Sequence, residues 1–148
     1  MKNQGFVAFL LLLISVNEAK RLDRCELTWF LKKGDMDGYY GTTIGDWICL
    51  AFYGSRFNTK SLGGRNPDGG RNYGIFQINS RWWCSTQKGR KSNGCNAYCG
   101  DFIDDDIRDD IACVKIIARE ASGLDAWYLW RRNCKGKNLS RWTRGCEF

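Results

Sequence analysis

The chain has 148 residues, with 23 Lys and Arg against 16 Asp and Glu, a net charge of +7, eight cysteines and no histidine. That length suits one domain, and no repeat, low-complexity run or interdomain linker divides it. Without histidine or a C-x-x-C pair a zinc centre is disfavoured, and a basic surface attracts polyanions without specifying one, so no specific nucleic-acid partner is implied.

Residues Met1 to Ala19 place Lys2 ahead of an apolar run from Phe6 to Val16 and a small residue before charged sequence. This reads as a secretory signal peptide, too short to span a membrane, followed by one extracellular domain over 20–148. All the cysteines, Cys25, Cys49, Cys84, Cys95, Cys99, Cys113, Cys134 and Cys146, lie in that domain. An even number behind an export signal predicts four disulfides, with the connectivity left open by spacing alone.

Leu27, Phe30 and Leu31 recur at helical spacing before Gly34, which predicts a first helix over 24–33. Thr43 with Asp46 three residues on forms a helix start, and Trp47, Ile48, Ala51 and Phe52 give the second helix a buried face that brings Gly54 near its end. Between Asn58 and Ile78, glycines and Pro67-Asp68-Gly69-Gly70 punctuate short segments, one alternating as Tyr73, Ile75, Gln77, Asn79, so a small antiparallel sheet is expected. From Asp104 onward Ile107, Ile111, Val114 and Ile117 mark a long amphipathic helix fading near Gly123, and a fourth helix is expected over Ala126 to Cys134. The fold class is therefore α+β, a helical lobe and a small sheet lobe with a cleft between them.

Two patches carry chemistry. Asp101, Asp104, Asp105, Asp106, Asp109 and Asp110 place six aspartates in ten residues of a basic protein. Helix N-terminal preference explains two or three of them; repulsion among the rest asks for a cation, and calcium takes oxygen ligands of this kind. Around Gln77 and Asn79, Trp82 and Trp83 supply flat apolar faces beside amides, the combination that sugar rings and their hydroxyls require. Trp127 and Trp130 suit core packing better. Asn138-Leu139-Ser140 is an N-glycosylation acceptor.

Asn72-Tyr73-Gly74-Ile75-Phe76-Gln77-Ile78-Asn79-Ser80-Arg81-Trp82-Trp83-Cys84, with Tyr53-Gly54-Ser55 upstream and the eight cysteines, resembles the C-type lysozyme and α-lactalbumin family along the whole domain. The resemblance implies a lysozyme-like fold, a monomer, and the pairings Cys25 with Cys146, Cys49 with Cys134, Cys84 with Cys99, and Cys95 with Cys113. It also implies calcium as a structural cofactor, held by the side chains of Asp104, Asp109 and Asp110 and the carbonyls of Asp101 and Asp106. Gln77, Asn79, Trp82, Trp83, Ala126 and Trp127 match positions of the family's sugar-binding cleft, with Glu120 at its outer edge. Glycoside hydrolysis needs a carboxylic acid and a second, ionised carboxylate, lysozyme being the type case. Gly54 and Asn72 stand where the family has those two groups. A glycine has no proton to give and an asparagine no negative charge.

The reading that follows is a secreted, calcium-binding, lysozyme-like protein without glycosidase activity that binds N-acetylglucosamine-containing glycans or peptidoglycan. Residual lysozyme activity in antibacterial defence is one alternative. A regulatory subunit like α-lactalbumin, or a sperm-surface binding protein, is another, with a protein as partner. Tyr53 replaces a lactalbumin histidine, and Trp142-Thr143-Arg144-Gly145-Cys146 follows the lysozyme pattern.

Overall fold

A computed structural model describes residues 21–147; the expected signal peptide lies outside them. Helix α1 spans Arg24–Lys33, as its periodicity predicts, and buries Leu27, Thr28 and Leu31. Helix α2 spans Ile44–Ser55. Its first turn is closed by a reciprocal pair, the Asp46 N–H donating to Thr43 Oγ1 at 3.2 Å and the Thr43 N–H to Asp46 Oδ2 at 2.8 Å, which satisfies amides that a helix start leaves open. Trp47, Ile48, Leu50 and Ala51 are buried, and α2 packs against α1 and the C-terminal helix as the spine of the core. Burying each of the larger side chains contributes roughly 1.5–3 kcal/mol.

Three short strands follow: β1 Leu62–Arg65, β2 Arg71–Tyr73 and β3 Ile78–Asn79. They pair antiparallel in the order β1-β2-β3, with Asn72 opposite Asn79 and Tyr73 opposite Ile78. The turn joining β1 to β2 is built by Asp68, whose Oδ1 accepts the Gly70 N–H at 2.9 Å, and by Gly69 at φ +88°, where a side chain would be strained. Two buried hydrogen bonds tie this lobe to the helices: Ser55 Oγ donates to the Ile75 carbonyl at 2.7 Å, and Trp127 Nε1 to the Phe76 carbonyl at 2.9 Å. The Trp47 ring meets Phe76 and Trp127 edge-on at 6.2 and 5.9 Å, so one aromatic cluster forms the floor between the lobes.

Helix α3 spans Arg108–Ala121, starting later than the expected Asp104. The reason is local. Asp104 Oδ1 takes the N–H of Asp106 at 3.0 Å and Asp106 Oδ1 that of Arg108 at 3.0 Å, so side chains hold the preceding segment in turns that compete with helix. Helix α4 spans Tyr128–Asn133, shorter at both ends than expected, because Trp127 is extended (φ −100°, ψ 110°) while its indole reaches Phe76. Single-turn 3₁₀ helices occupy Tyr39–Gly41, Cys99–Phe102 and Ser140–Trp142. The four disulfides, Cys25–Cys146, Cys49–Cys134, Cys84–Cys99 and Cys95–Cys113, have the pairing that the resemblance implies. Among the described residues no helix is long and apolar enough to cross a membrane.

Candidate functional site

The space between the lobes is a cleft of ≈ 600 Å³. Leu50 and Ile117 form its apolar floor; Gly54 borders it from the last turn of α2 and Asn72 from β2. The two positions therefore do meet at one cavity, as a catalytic pair would. Next to Gly54 the space is taken by Gln77, whose Cγ lies 3.1 Å from where a Cβ at position 54 would stand. Gln77 is held there at φ +54°, its amide donating to the Gly74 carbonyl at 2.9 Å and to Ser61 Oγ at 3.2 Å. Asn72 Oδ1 accepts from Asn66 Nδ2 at 2.9 Å, with a longer return bond of 3.4 Å. Two amides thus lock each other, and neither supplies a charge.

Among the described residues Asp68 is the one carboxylate bordering the cleft. Its Oδ1 accepts the Gly70 N–H at 2.9 Å and its Oδ2 the Asn79 amide at 2.9 Å. The Gly70 bond first, and then the Asn79 bond, hold this carboxyl below the usual aspartate range. It is ionised at neutral pH, with both oxygens already accepting hydrogen bonds.

Of the residues expected to face sugars, Gln77, Asn79, Trp83, Ala126 and Trp127 border the cleft. Trp127 is only 8% exposed, which makes it a floor residue of the core that shows an edge to the cavity. Trp82 is 58% exposed and lies outside the lining, with the Arg81 guanidinium 5.2 Å from its ring centre. Glu120, exposed on α3, also lies outside it, and Trp130 donates from Nε1 to Asp46 Oδ1 at 3.1 Å away from the cleft. Asn66, Pro67, Asp68, Tyr128 and Leu129 complete the wall; none of them was expected to face sugars, and Asp68 was expected only as a turn residue unsuited to replace a catalytic carboxylate. The Asn66-Pro67-Asp68-Gly69 turn beside Asn72 was the available signal for the first three.

Behind the sheet, the aspartate segment leads from the Cys99–Phe102 turn into α3. Asp104, Asp109 and Asp110 bring carboxylate oxygens within 4.8 Å of one another, a group that could hold a metal ion. Asp110 is the decisive member: it is 1% exposed, and among the described residues neither of its oxygens has a hydrogen-bond partner. Burial, reinforced by Asp109 and then Asp104, pushes its pKa up to about 10, and burial with the Asp109 charge raises Asp104 as well. An unpaired carboxylate in such a place is costly, and a cation among the three removes the cost. The other aspartates are otherwise engaged. Asp106 turns to Arg108, with Oδ2 2.7 Å from Nη2, which pulls its pKa down to about 2. Asp105 Oδ1 accepts from the buried Thr59 hydroxyl at 3.1 Å, and Asp101 is exposed in the 3₁₀ turn.

This loop and the cleft share a wall. Gly74 sits at φ +79°, and a Cβ there would collide with the Phe102 carbonyl and come within 2.7 Å of Asp110 Oδ2. Only glycine lets the Asn72-Tyr73-Gly74 segment lie this close to the carboxylates. Asn138 is exposed, its Oδ1 accepting the Ser140 N–H at 3.0 Å.

A profile of the C-type lysozyme/alpha-lactalbumin family matches residues 20–146. The chain belongs to the C-type lysozyme/α-lactalbumin family. It is similar to the milk isozyme of lysozyme C from Canis lupus familiaris, 45% identical over 86% of this chain and 99% of that one. Lysozyme C-2 of Sus scrofa is 45% identical over 99% of each chain. Among solved structures, lysozyme from Equus asinus superposes with a TM-score of 0.81 at 43% identity, covering 87% of this chain and all of the other. Recombinant canine milk lysozyme in its apo-type form gives 0.81 at 44% identity with the same 87% coverage. Both the lysozyme-like fold and the metal-competent aspartate cluster thus have their place within that family.

Proposed function

We propose that this protein is a secreted, calcium-stabilised member of the family that binds N-acetylated oligosaccharides or peptidoglycan without cleaving them. The observation that carries the reading is the composition of the cleft wall. Gly54 and Asn72 border the same cavity, Gln77 and Asn66 occupy their neighbourhood with amides, and the one bordering carboxylate, Asp68, is held ionised. Hydrolysis lacks a proton donor, a loss of roughly 10²- to 10⁴-fold from that role alone. Binding groups remain in Gln77, Asn79, Trp83 and Ala126, joined by Tyr128 and Leu129. Calcium would be held by the carboxylates of Asp104, Asp109 and Asp110 with the carbonyls of Asp101 and Asp106; its contribution is structural, compensating charge that the fold buries.

The test pairs two measurements in the presence of calcium. Purified protein should bind chitotriose, read as a change in tryptophan fluorescence, while leaving bacterial cell walls intact. A Gly54→Glu plus Asn72→Asp variant should gain measurable wall hydrolysis. Clear hydrolysis by the natural protein, or no fluorescence response to chitotriose, defeats the proposal.

A further inference from the structure

The charge of this protein is unevenly placed. Residues 51–100 have eight Lys and Arg against the single acid Asp68, a surplus of seven that equals the net charge of the chain, while the segments before and after are each balanced. The sheet lobe and its following loop therefore carry all of the excess. Within it, Arg65, Arg71 and Arg81 border one pocket of ≈ 470 Å³ together with Ser80, Thr86 and Asn93, and among the described residues no carboxylate borders that pocket. Among the described residues the ion pairs are Arg108 with Asp106 and Lys135 with Asp125, so none of the three arginines belongs to one. Arg65 reaches the Gly69 carbonyl at a long 3.4 Å, and Arg71 uses Nε on the Gly63 carbonyl at 3.1 Å. Among the described residues their other N–H donors make no hydrogen bond, and Arg81, whose charge attracts Asp68, has its guanidinium over the Trp82 ring; all three stay charged at any physiological pH.

Position ties this pocket to the cleft. Gly70 borders the pocket, Asp68 and Asn79 border the cleft, and the Cβ that Gly70 lacks would run into Asn79 Oδ1. The Pro67–Gly70 turn thus lies between the cleft and this pocket.

Resting on the glycan-binding reading above, we infer that this pocket takes a sulfate or phosphate ester on an N-acetylhexosamine chain, so that the preferred ligand is an acidic rather than a neutral N-acetylated glycan. Guanidinium forks match tetrahedral oxyanions, and the hydroxyls and amide beside them suit the ester oxygens. A nucleic acid fits less well, because Arg81 already covers the ring of Trp82, the most exposed indole beside the pocket, and leaves less open surface for base stacking.

Titration of the calcium-loaded protein with chitotetraose and with its 6-O-sulfated and 6-O-phosphorylated forms tests this. At least one ester should bind roughly 10-fold tighter than the neutral tetramer, with the advantage shrinking as salt rises; the stronger of the two identifies the source of the anion. Arg65→Gln plus Arg81→Gln should erase the advantage and leave neutral binding unchanged. Lys88→Gln plus Arg90→Gln removes the same charge outside the pocket and should leave the advantage in place. Equal affinities for neutral and charged tetramers overturn the inference while the glycan reading stands. It is also overturned if the Lys88 and Arg90 variant loses as much as the arginine variant, or if single-stranded DNA binds as tightly with the same arginine dependence. Arginine-dependent binding of the esters without any binding of the neutral tetramer removes the cleft reading and leaves the ester pocket. No binding by any tetramer removes both.

Discussion

Asp110 is buried with both oxygens unpaired, and its energetic role depends on what sits among Asp104, Asp109 and Asp110. Without a cation the carboxylate is a liability; with calcium it becomes a ligand. At neutral pH the metal-free fold must protonate this buried carboxyl, which is ionised when unfolded; Asp110→Asn keeps the shape and removes that cost, so in excess chelator the variant should melt higher than the natural protein, and added calcium should no longer raise its melting temperature. Calorimetry with calcium and with chelator reads both effects, and a calcium response equal to that of the natural protein would count against Asp110 as a ligand. Gly74 gives a second case. Gly74→Ala forces a Cβ against the Phe102 carbonyl at a positive φ, so it should cost more than about 2 kcal/mol and weaken calcium binding, read by chemical denaturation and by calcium titration. At this scale the sequence was most legible where a residue belongs to a contiguous motif, as do Gly54 and Asn72, which border one cavity, and Asp104, Asp109 and Asp110, which cluster. Asn66 and Asp68 were not, because their contacts with Asn72 and Asn79 arise only when the turn folds back over the strands.

Elements follow the same rule of local against distant causes. The bounds of α1 and the cap of α2 could be read in advance because a stripe of apolar residues and a Thr43-to-Asp46 exchange are local properties. The late start of α3 and the short α4 could not. In the first case aspartate side chains capture backbone N–H groups ahead of Arg108, and in the second Trp127 is committed to a carbonyl across the cleft. The joint between α2 and the sheet lobe rests on the buried Ser55 hydroxyl, which bonds Ile75 from the residue next to Gly54. Ser55→Ala leaves the Ile75 carbonyl without this donor and should cost about 1–3 kcal/mol. If this bond helps to set the spacing of the lobes, affinity for chitotriose should fall in the same variant at temperatures where it is fully folded. An unchanged affinity would show that the Trp127 bond alone sets the spacing.

Across the whole molecule, the disulfides and the proposed calcium divide the stabilisation between global and local constraint. Cys25–Cys146 closes 121 residues of chain and Cys95–Cys113 only 18. In the chain-entropy account their removal costs about 5 and about 3 kcal/mol respectively, so the longer loop should matter more to global unfolding. The calcium response should rank them in the opposite order. Cys113 follows Asp109 and Asp110 by one turn of α3 and is tied to the loop of the sheet lobe, whereas Cys25 and Cys146 clamp the chain ends far from the aspartates in sequence. Replacing Cys95 and Cys113 by alanine frees the start of α3 to move relative to Gly74, and a site of three carboxylates loses affinity when its spacing is no longer imposed. The expectation is therefore a crossed pattern: the Cys25→Ala plus Cys146→Ala variant loses more stability in chelator, and the Cys95→Ala plus Cys113→Ala variant loses more of the melting-temperature gain that calcium confers. Equal calcium gains in the two variants would mean that the backbone of the aspartate segment holds its geometry without help from the sheet lobe.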